Sequence, residues 1–73
     1  MRRLNGRPLQ VVELAADGLG VKETAQQMGL SAETVKDYRV RALDLLGANN
    51  MAHAVAIAAR RGYLPGVRVV EAV

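Results

Sequence analysis

Residues 18–46 read GLGVKETAQQMGLSAETVKDYRVRALDLL, and this stretch decides the fold. Residues 21–28 can form about two helical turns, and Gly29 stands where a left-handed residue ends a helix. Ser31 can then serve as the N-cap of a longer helix, because its hydroxyl can accept from the backbone N–H of residue 33 or 34. The sequence therefore predicts two helices joined by a turn at residues 29–31, with the length and chemistry of a helix-turn-helix.

The helix before this pair has two possible starting points. It should begin between Asn5 and Pro8 and end near residue 17, because Gly18 follows as a helix-ending residue. If Asn5 is the N-cap, Pro8 occupies the third helical position and removes the backbone N–H that a capping bond would use. If the helix begins one turn later, Pro8 occupies the favoured first position. The sequence agrees with both starts.

The last predicted helix, residues 51–61, has almost no polar face. Asn50 is a natural N-cap for it, and Gly62 follows its end. A helix that is apolar on all sides should be buried on all sides, whereas a chain of 73 residues can cover only one of them. The uncovered side predicts a partner, most simply a second copy of the chain. The residues expected in this dimer interface are Met51, Ala52, Val55, Ala56 and Ala59.

The third predicted helix, residues 32–46, has two distinct sides at roughly 100° per residue. Val35, Ala42 and Leu46 share one direction, which we expect to face the core. In a helix-turn-helix the opposite side would lie in the major groove of DNA, with its N-terminal part nearest the bases. The side chains on that opposite side and its two shoulders are Glu33, Asp37, Val40, Asp44, Lys36 and Arg41.

The charge of the chain is unevenly distributed. The net charge is +3 and the isoelectric point is about 10.0. Acidic and basic side chains balance in residues 1–37, so the excess belongs to residues 38–73. A basic protein of this kind fits a polyanionic partner such as double-stranded DNA. The third predicted helix, by contrast, holds as many acidic as basic side chains and adds no net charge toward phosphates.

Composition argues against several classes of protein. The chain has no cysteine and one histidine, which leaves no thiolate ligands for zinc and favours a reducing, cytoplasmic compartment. No apolar run reaches the length of a membrane span, and no signal-peptide core follows the first residues. No nucleophile and base stand in a catalytic pattern. We therefore expect neither an enzyme nor a metal site, cofactor, small-molecule substrate or membrane association.

A spaced set of residues runs through the predicted helices: Leu4, Arg7, Val11, Gly18, Lys22, Glu23, Ala25, Leu30, Ser31, Thr34, Val35, Lys36, Leu46 and Gly47. With this spacing the chain resembles the LuxR-type, or GerE-like, DNA-binding domain. The usual pattern of that domain is L-T-x-R-E, G-x-s-x-K-E-I-A, L-x-x-S-x-x-T-V-K-x-H and a closing K-L-G. The stretch AHAVAIAARRGYL also resembles the domain's last helix, A-V-x-x-A-x-x-x-G-L/Y. The resemblance extends to Leu64 without gaps.

The resemblance implies an all-α, four-helix, bundle-like domain with a central helix-turn-helix. We expect residues 1–73 to form one such domain, with a core at 4–64 and a tail at 65–73 that suits a turn and then either an extended segment or a disordered one. With no room for a receiver or ligand-binding domain, it resembles the family's stand-alone form.

The resemblance also implies a set of DNA contacts from the third helix and its surroundings. Lys36 would be the leading base or phosphate contact, and Arg39 and Arg41 would reach the phosphate backbone. For Arg39 an alternative is a stem lying over the core with its head in water. For Lys22 the alternative is a solvated surface charge. The residues expected to contact DNA are Lys36, Asp37, Val40, Arg39, Arg41, Thr34, Ser31 and Lys22.

Some positions depart from the family pattern. Tyr38 stands where the family usually has His, and Leu45 where it usually has Lys; Asn5 and Pro8 replace Thr and Glu.

Taken with the resemblance, the sequence predicts a homodimeric, sequence-specific DNA-binding transcriptional regulator with its third helix in the major groove. The alternative is a protein-interaction module of the same fold, with weak or lost DNA binding, that docks on another regulator or on RNA polymerase.

Overall fold

Four helices joined by short turns make up residues 3–66, the part of the chain that the computed structural model describes. In chain order they are α1 (Gly6–Ala16), α2 (Val21–Met28), α3 (Ala32–Leu46) and α4 (Met51–Arg60). These residues contain no strand, and the predicted all-α fold is confirmed. None of the four helices is both long and apolar enough to cross a membrane. The extended segment expected within the tail, at residues 67–73, lies outside the described residues.

The turn between α2 and α3 forms as its sequence predicts. Gly29 adopts a left-handed conformation with φ of 67°, which other residues adopt only with strain. The N–H of Leu30 then donates to the carbonyl oxygen of Ala25 at 2.9 Å and closes the end of α2. Ser31 caps α3, because its Oγ accepts from the N–H of Thr34 at 3.1 Å. Local chemistry alone thus directs the chain into α3.

The earlier of the two possible starts of α1 is the one that the structure adopts. Asn5 is the N-cap, and Pro8 occupies the third helical position. The Asn5 side chain makes no capping bond, as expected when the third residue has no N–H to donate. Tertiary contacts secure this end instead: Leu4 is buried, and its N–H donates to the hydroxyl oxygen of Tyr63 at 3.4 Å. That bond joins the two ends of the described chain.

The hydrophobic core lies where α1, α3 and α4 meet. α3 packs against each of the other three helices, and α1 also contacts both α2 and α4. The predicted core side of α3 is confirmed, since Val35, Ala42 and Leu46 are all buried. The buried cluster consists of Leu4, Val12, Ala42, Leu46, Ala54, Ala58 and Leu64. Because α3 is central to this packing, its orientation is fixed by three neighbours at once.

The last helix, α4, is one residue shorter than predicted. Asn50 caps its start as expected, accepting from the N–H of His53 at 2.8 Å. The helix ends at Arg60, however, and Arg61 is already the C-cap. The chain turns away there because Gly62 adopts a left-handed conformation with φ of 79°, which ends the helical path.

The single chain covers only one side of α4. Ala54 and Ala58 are completely buried against the core, whereas Ala52 is exposed. The other four residues of the predicted dimer interface are half-buried; they are Met51, Val55, Ala56 and Ala59. Residues 3–66 therefore do not enclose this apolar helix on all sides. The partner was predicted from such an uncovered side.

The capping geometry predicts different costs at two N-caps. Ser31→Ala should lower the free energy of unfolding by about 1 kcal/mol, because α3 loses a side-chain cap. Asn5→Ala is the matched control: this side chain makes no capping bond, so the change should stay within about 0.5 kcal/mol. Urea denaturation followed by circular dichroism measures both values. Equal losses of unfolding free energy in the two variants would contradict the assignment of Ser31 as a stabilising N-cap.

Candidate nucleic-acid interface

One side of α3 faces away from all three neighbouring helices. Lys36, Asp37, Val40 and Arg41 are exposed there, and Glu33 and Asp44 are exposed beside them. Val40 retains 64% of its accessible surface. The structure thus brings together four of the eight residues predicted to contact DNA, on the side predicted from helical periodicity. We call these four residues the α3 outer face.

α2 supports the α3 outer face from behind. Thr24 is completely buried and Ala25 is 7% exposed, both on the side of α2 that packs against the core. A small residue such as Ala25 lets two crossing helices approach closely. The Thr24 hydroxyl is buried without a hydrogen-bond partner. These contacts make the angle between α2 and α3 depend on core packing.

The first turn of α3 adds two hydroxyl groups next to the outer face. The Oγ of Ser31 and the Oγ1 of Thr34 lie 2.9 Å apart, and Ser31 is exposed. The amino end of a helix carries partial positive charge and unpaired N–H groups, which suit a phosphate oxygen. Glu33 in the same turn opposes an approaching phosphate. Ser31 and Thr34 therefore lie where predicted, at the start of the candidate interface.

Arg41 makes a cation–π contact with an aromatic neighbour. Its guanidinium carbon lies 5.6 Å from the centroid of the Tyr38 ring, one turn earlier on α3. At a partly exposed site a contact of this type contributes about 0.5–1 kcal/mol. Tyr38 is half-buried and Arg41 is exposed, so the guanidinium contacts the ring while remaining open to solvent. The spacing of three residues within a helix was the signal that could have predicted this contact.

Arg39 lies apart from the outer face, and its contact with the DNA backbone stays a prediction. It follows the buried Val35 by four residues and so shares the core-facing side of α3. Its Nη2 donates to the carbonyl oxygen of Leu19 at 3.5 Å, and its Nε is buried without a partner. The side chain is half-buried. Its stem lies over the core as in the predicted alternative, but its head contacts protein rather than water alone.

Lys22 lies on a different helix from the outer face. It is exposed in the first turn of α2. Its neighbour Glu23 accepts from the N–H of Gly20 through Oε1 at 3.2 Å and so caps the start of that helix.

Acidic and histidine residues within 3–66 form no group of three that could hold a metal ion.

These elements define a helix-turn-helix domain: a short helix, a glycine turn, and a longer capped helix with one outward polar side. The family model described as GerE, bacterial regulatory proteins of the luxR family, matches residues 3–58. The chain belongs to this family, and it is a DNA-binding domain of the kind found in LuxR-type transcriptional regulators. The resemblance seen in the sequence is confirmed.

Individual relatives agree with this assignment. The chain is 41% identical over 63 residues to the HTH-type transcriptional activator RamA of Corynebacterium glutamicum, a match that covers 86% of this chain and 22% of RamA. It is 45% identical over 47 residues to the transcriptional regulatory protein UhpA of Salmonella typhimurium, covering 64% of this chain and 24% of UhpA. The chain thus spans less than a quarter of the length of either relative.

A solved structure of the transcription factor GerE has the same fold. Its TM-score against this chain is 0.78 at 24% sequence identity, and the match covers 84% of this chain and 91% of the GerE chain. At that identity the similarity concerns the arrangement of the helices and not the residues on their surfaces. The order and packing of α1 to α4 are thus those of a known transcription factor.

Proposed function

We propose that this domain binds double-stranded DNA sequence-specifically as a homodimer, with α3 in the major groove, and so regulates transcription. The observation that carries the proposal is the α3 outer face: it is exposed, lies on the central helix, and is opposite the side that three helices bury. A major groove about 12 Å wide admits one α-helix with its side chains. Such a regulator would work in the cytoplasm of a bacterium.

The outer face supports a division of roles among its residues. Lys36 and Arg41 lie on opposite shoulders of the face, where long cationic side chains reach phosphates or guanine edges. Asp37 and Val40 lie nearer the middle and would face base edges; a carboxylate there can accept from the amino group of cytosine. Ser31 at the start of α3 would contact a phosphate. The set is completed by two further phosphate contacts, Thr34 and Lys22.

The acidic residues limit how strongly the face attracts DNA. Glu33, Asp37 and Asp44 are all exposed on the same side of α3 as Lys36 and Arg41. Each carboxylate near the phosphate backbone opposes binding, and each cation that contacts a phosphate releases counterions. We therefore expect modest affinity for random DNA and a large contribution from base contacts. Binding through two copies would then supply much of the affinity.

The uncovered side of α4 supports the homodimer. Ala52, Val55, Ala56 and Ala59 are exposed or half-buried, and their small side chains allow a second helix to approach closely. α4 packs on the core side of α3, so a dimer through α4 leaves both outer faces free. Two such faces would lie in successive major grooves, about 34 Å apart on one side of the duplex.

A second candidate is a protein-interaction module that uses this fold to dock on RNA polymerase or on another regulator. The observation in its favour is the balanced charge of α3, together with Leu45 where the family pattern has Lys. An interaction module would use the uncovered side of α4 and would not need the outer face. The two candidates therefore differ in what substitution of Lys36 does.

The DNA-binding proposal predicts a steep dependence on salt. Fluorescence anisotropy with a pool of duplex fragments from a bacterial genome should show saturable binding that weakens strongly between roughly 50 and 200 mM salt. Lys36→Ala should weaken binding about tenfold and lower the salt dependence, because a cation leaves the groove. The dimer should remain intact in this variant, since Lys36 is not on α4.

Arg60→Ala is the control for the loss of charge. It also removes one exposed cation, but from α4, which lies on the other side of α3. Its affinity for the same fragments should stay within about twofold of the unsubstituted protein. Equal weakening by both substitutions would show that only net charge matters. Binding unchanged by Lys36→Ala, or absent at low salt from a folded protein, would favour the interaction module.

The dimer proposal predicts that a charge on α4 separates the two copies. Ala56→Glu would bury a carboxylate against the partner helix without a counter-charge, so the dissociation constant of the dimer should rise at least about a hundredfold. Light scattering measures the mass directly. Gln26→Glu, an exposed position on α2, adds the same charge as a control and should leave the mass unchanged. A monomeric unsubstituted protein, or an Ala56→Glu variant that stays dimeric, would contradict the proposed interface.

A further inference from the structure

Val40 is the one large hydrophobic side chain that the structure leaves exposed within residues 3–66, at 64% of its accessible surface. A single exposed valine is ordinary on a protein surface. Its surroundings on the helix make this one informative. Lys36 precedes it by four residues, Asp37 by three, and Asp44 follows it by four, so three of its four nearest neighbours on α3 are charged. The fourth, Leu43, is half-buried against the core cluster.

Neither the core nor the proposed dimer explains why this position is apolar. The core side of α3 is occupied by Val35, Ala42 and Leu46, and Val40 points to the other side of the helix. α4 packs on the core side as well, so a second copy bound through α4 would not cover Val40. A valine is also no better than a polar residue at stabilising an exposed turn of helix. We therefore look for an apolar partner of Val40 that is neither part of the same chain nor a second copy bound through α4.

DNA offers one apolar group that a major-groove helix can contact, the C5 methyl group of thymine. Valine has no donor or acceptor and can bind neither a phosphate nor a base amino group. With the cations Lys36 and Arg41 on the two shoulders to reach the backbone, the side chain between them faces the base edges. We propose that Val40 reads the 5-methyl group of a thymine in each half-site and so determines part of the sequence specificity. This inference rests on the proposed DNA binding through α3.

The neighbouring Asp37 limits which DNA bases can stand near that thymine in the half-site. Three residues along a helix correspond to a rise of about 4.5 Å, which lies between one and two of the steps of about 3.4 Å that separate successive base pairs. A carboxylate in the major groove accepts from the amino group of cytosine. The thymine read by Val40 should therefore lie within about two base steps of a base pair that offers such an amino group.

The test uses duplexes that the protein itself selects from a randomised pool, so no operator need be known. In a selected duplex each thymine is replaced in turn by uracil, which pairs identically but lacks the methyl group. Anisotropy titration should show that a uracil at this thymine in only one half-site weakens binding about fourfold, the effect expected for one buried methyl group. Replacement in both half-sites should weaken it more than tenfold. Val40→Ala should bind the thymine and uracil duplexes equally.

Lys36→Ala is the matched control on the same helix face. It should bind both duplexes more weakly, yet keep the same ratio between thymine and uracil, because the methyl contact does not involve the lysine. Val40 is exposed, so its substitution should leave folding intact, which a thermal melt checks.

Three results would overturn the inference. If no uracil changes the affinity of the unsubstituted protein, or if Val40→Ala keeps the full penalty, Val40 does not read a methyl group, while DNA binding that depends on Lys36 still supports the proposed function. If the unsubstituted protein selects no duplex and shows no salt-dependent binding, the proposed function and this inference fail together.

Discussion

The burial of one side of α3 is the constraint on which the rest of the structure depends. Val35, Ala42 and Leu46 are removed from water by contacts with α1, α2 and α4, and this burial supplies most of the free energy that orients the helix. Because the helix has a fixed period, covering that side necessarily presents Lys36 and Val40 to solvent. Fold and candidate interface are thus two consequences of the same packing.

Features set by local chemistry could be predicted from the sequence, and features set by distant contacts could not. The end of α2 and the start of α3 follow from Gly29 and Ser31, whose effects act within a few residues. The start of α1 stayed open because local rules allow two solutions. Leu4, whose N–H meets the Tyr63 hydroxyl across 59 residues, shows how that end is held in the structure. Arg39 is similar, since its contact with the Leu19 carbonyl depends on how the turn after α1 packs.

Membership of the luxR family identifies the chain as a DNA-binding domain. The residues on the α3 outer face, by contrast, are particular to this chain. The balanced charge on α3 and the exposed valine at its centre support the proposal that base contacts contribute more to DNA binding than attraction to the phosphate backbone does. The Tyr38 ring next to Arg41 agrees with this proposal, because a cation that contacts a neighbouring ring can contribute to register as well as to affinity. A dimer through α4 would double each of these small contributions.

The most direct test of the central claim maps DNA onto the protein by nuclear magnetic resonance. A ¹⁵N-labelled sample of this 7.8 kDa chain is titrated with a duplex that it selects, and backbone amide shifts are followed. The account predicts that the largest changes fall on residues 31–41, at the capped start and outer face of α3. Saturating DNA that leaves α3 unchanged while amides of α4 respond would contradict it.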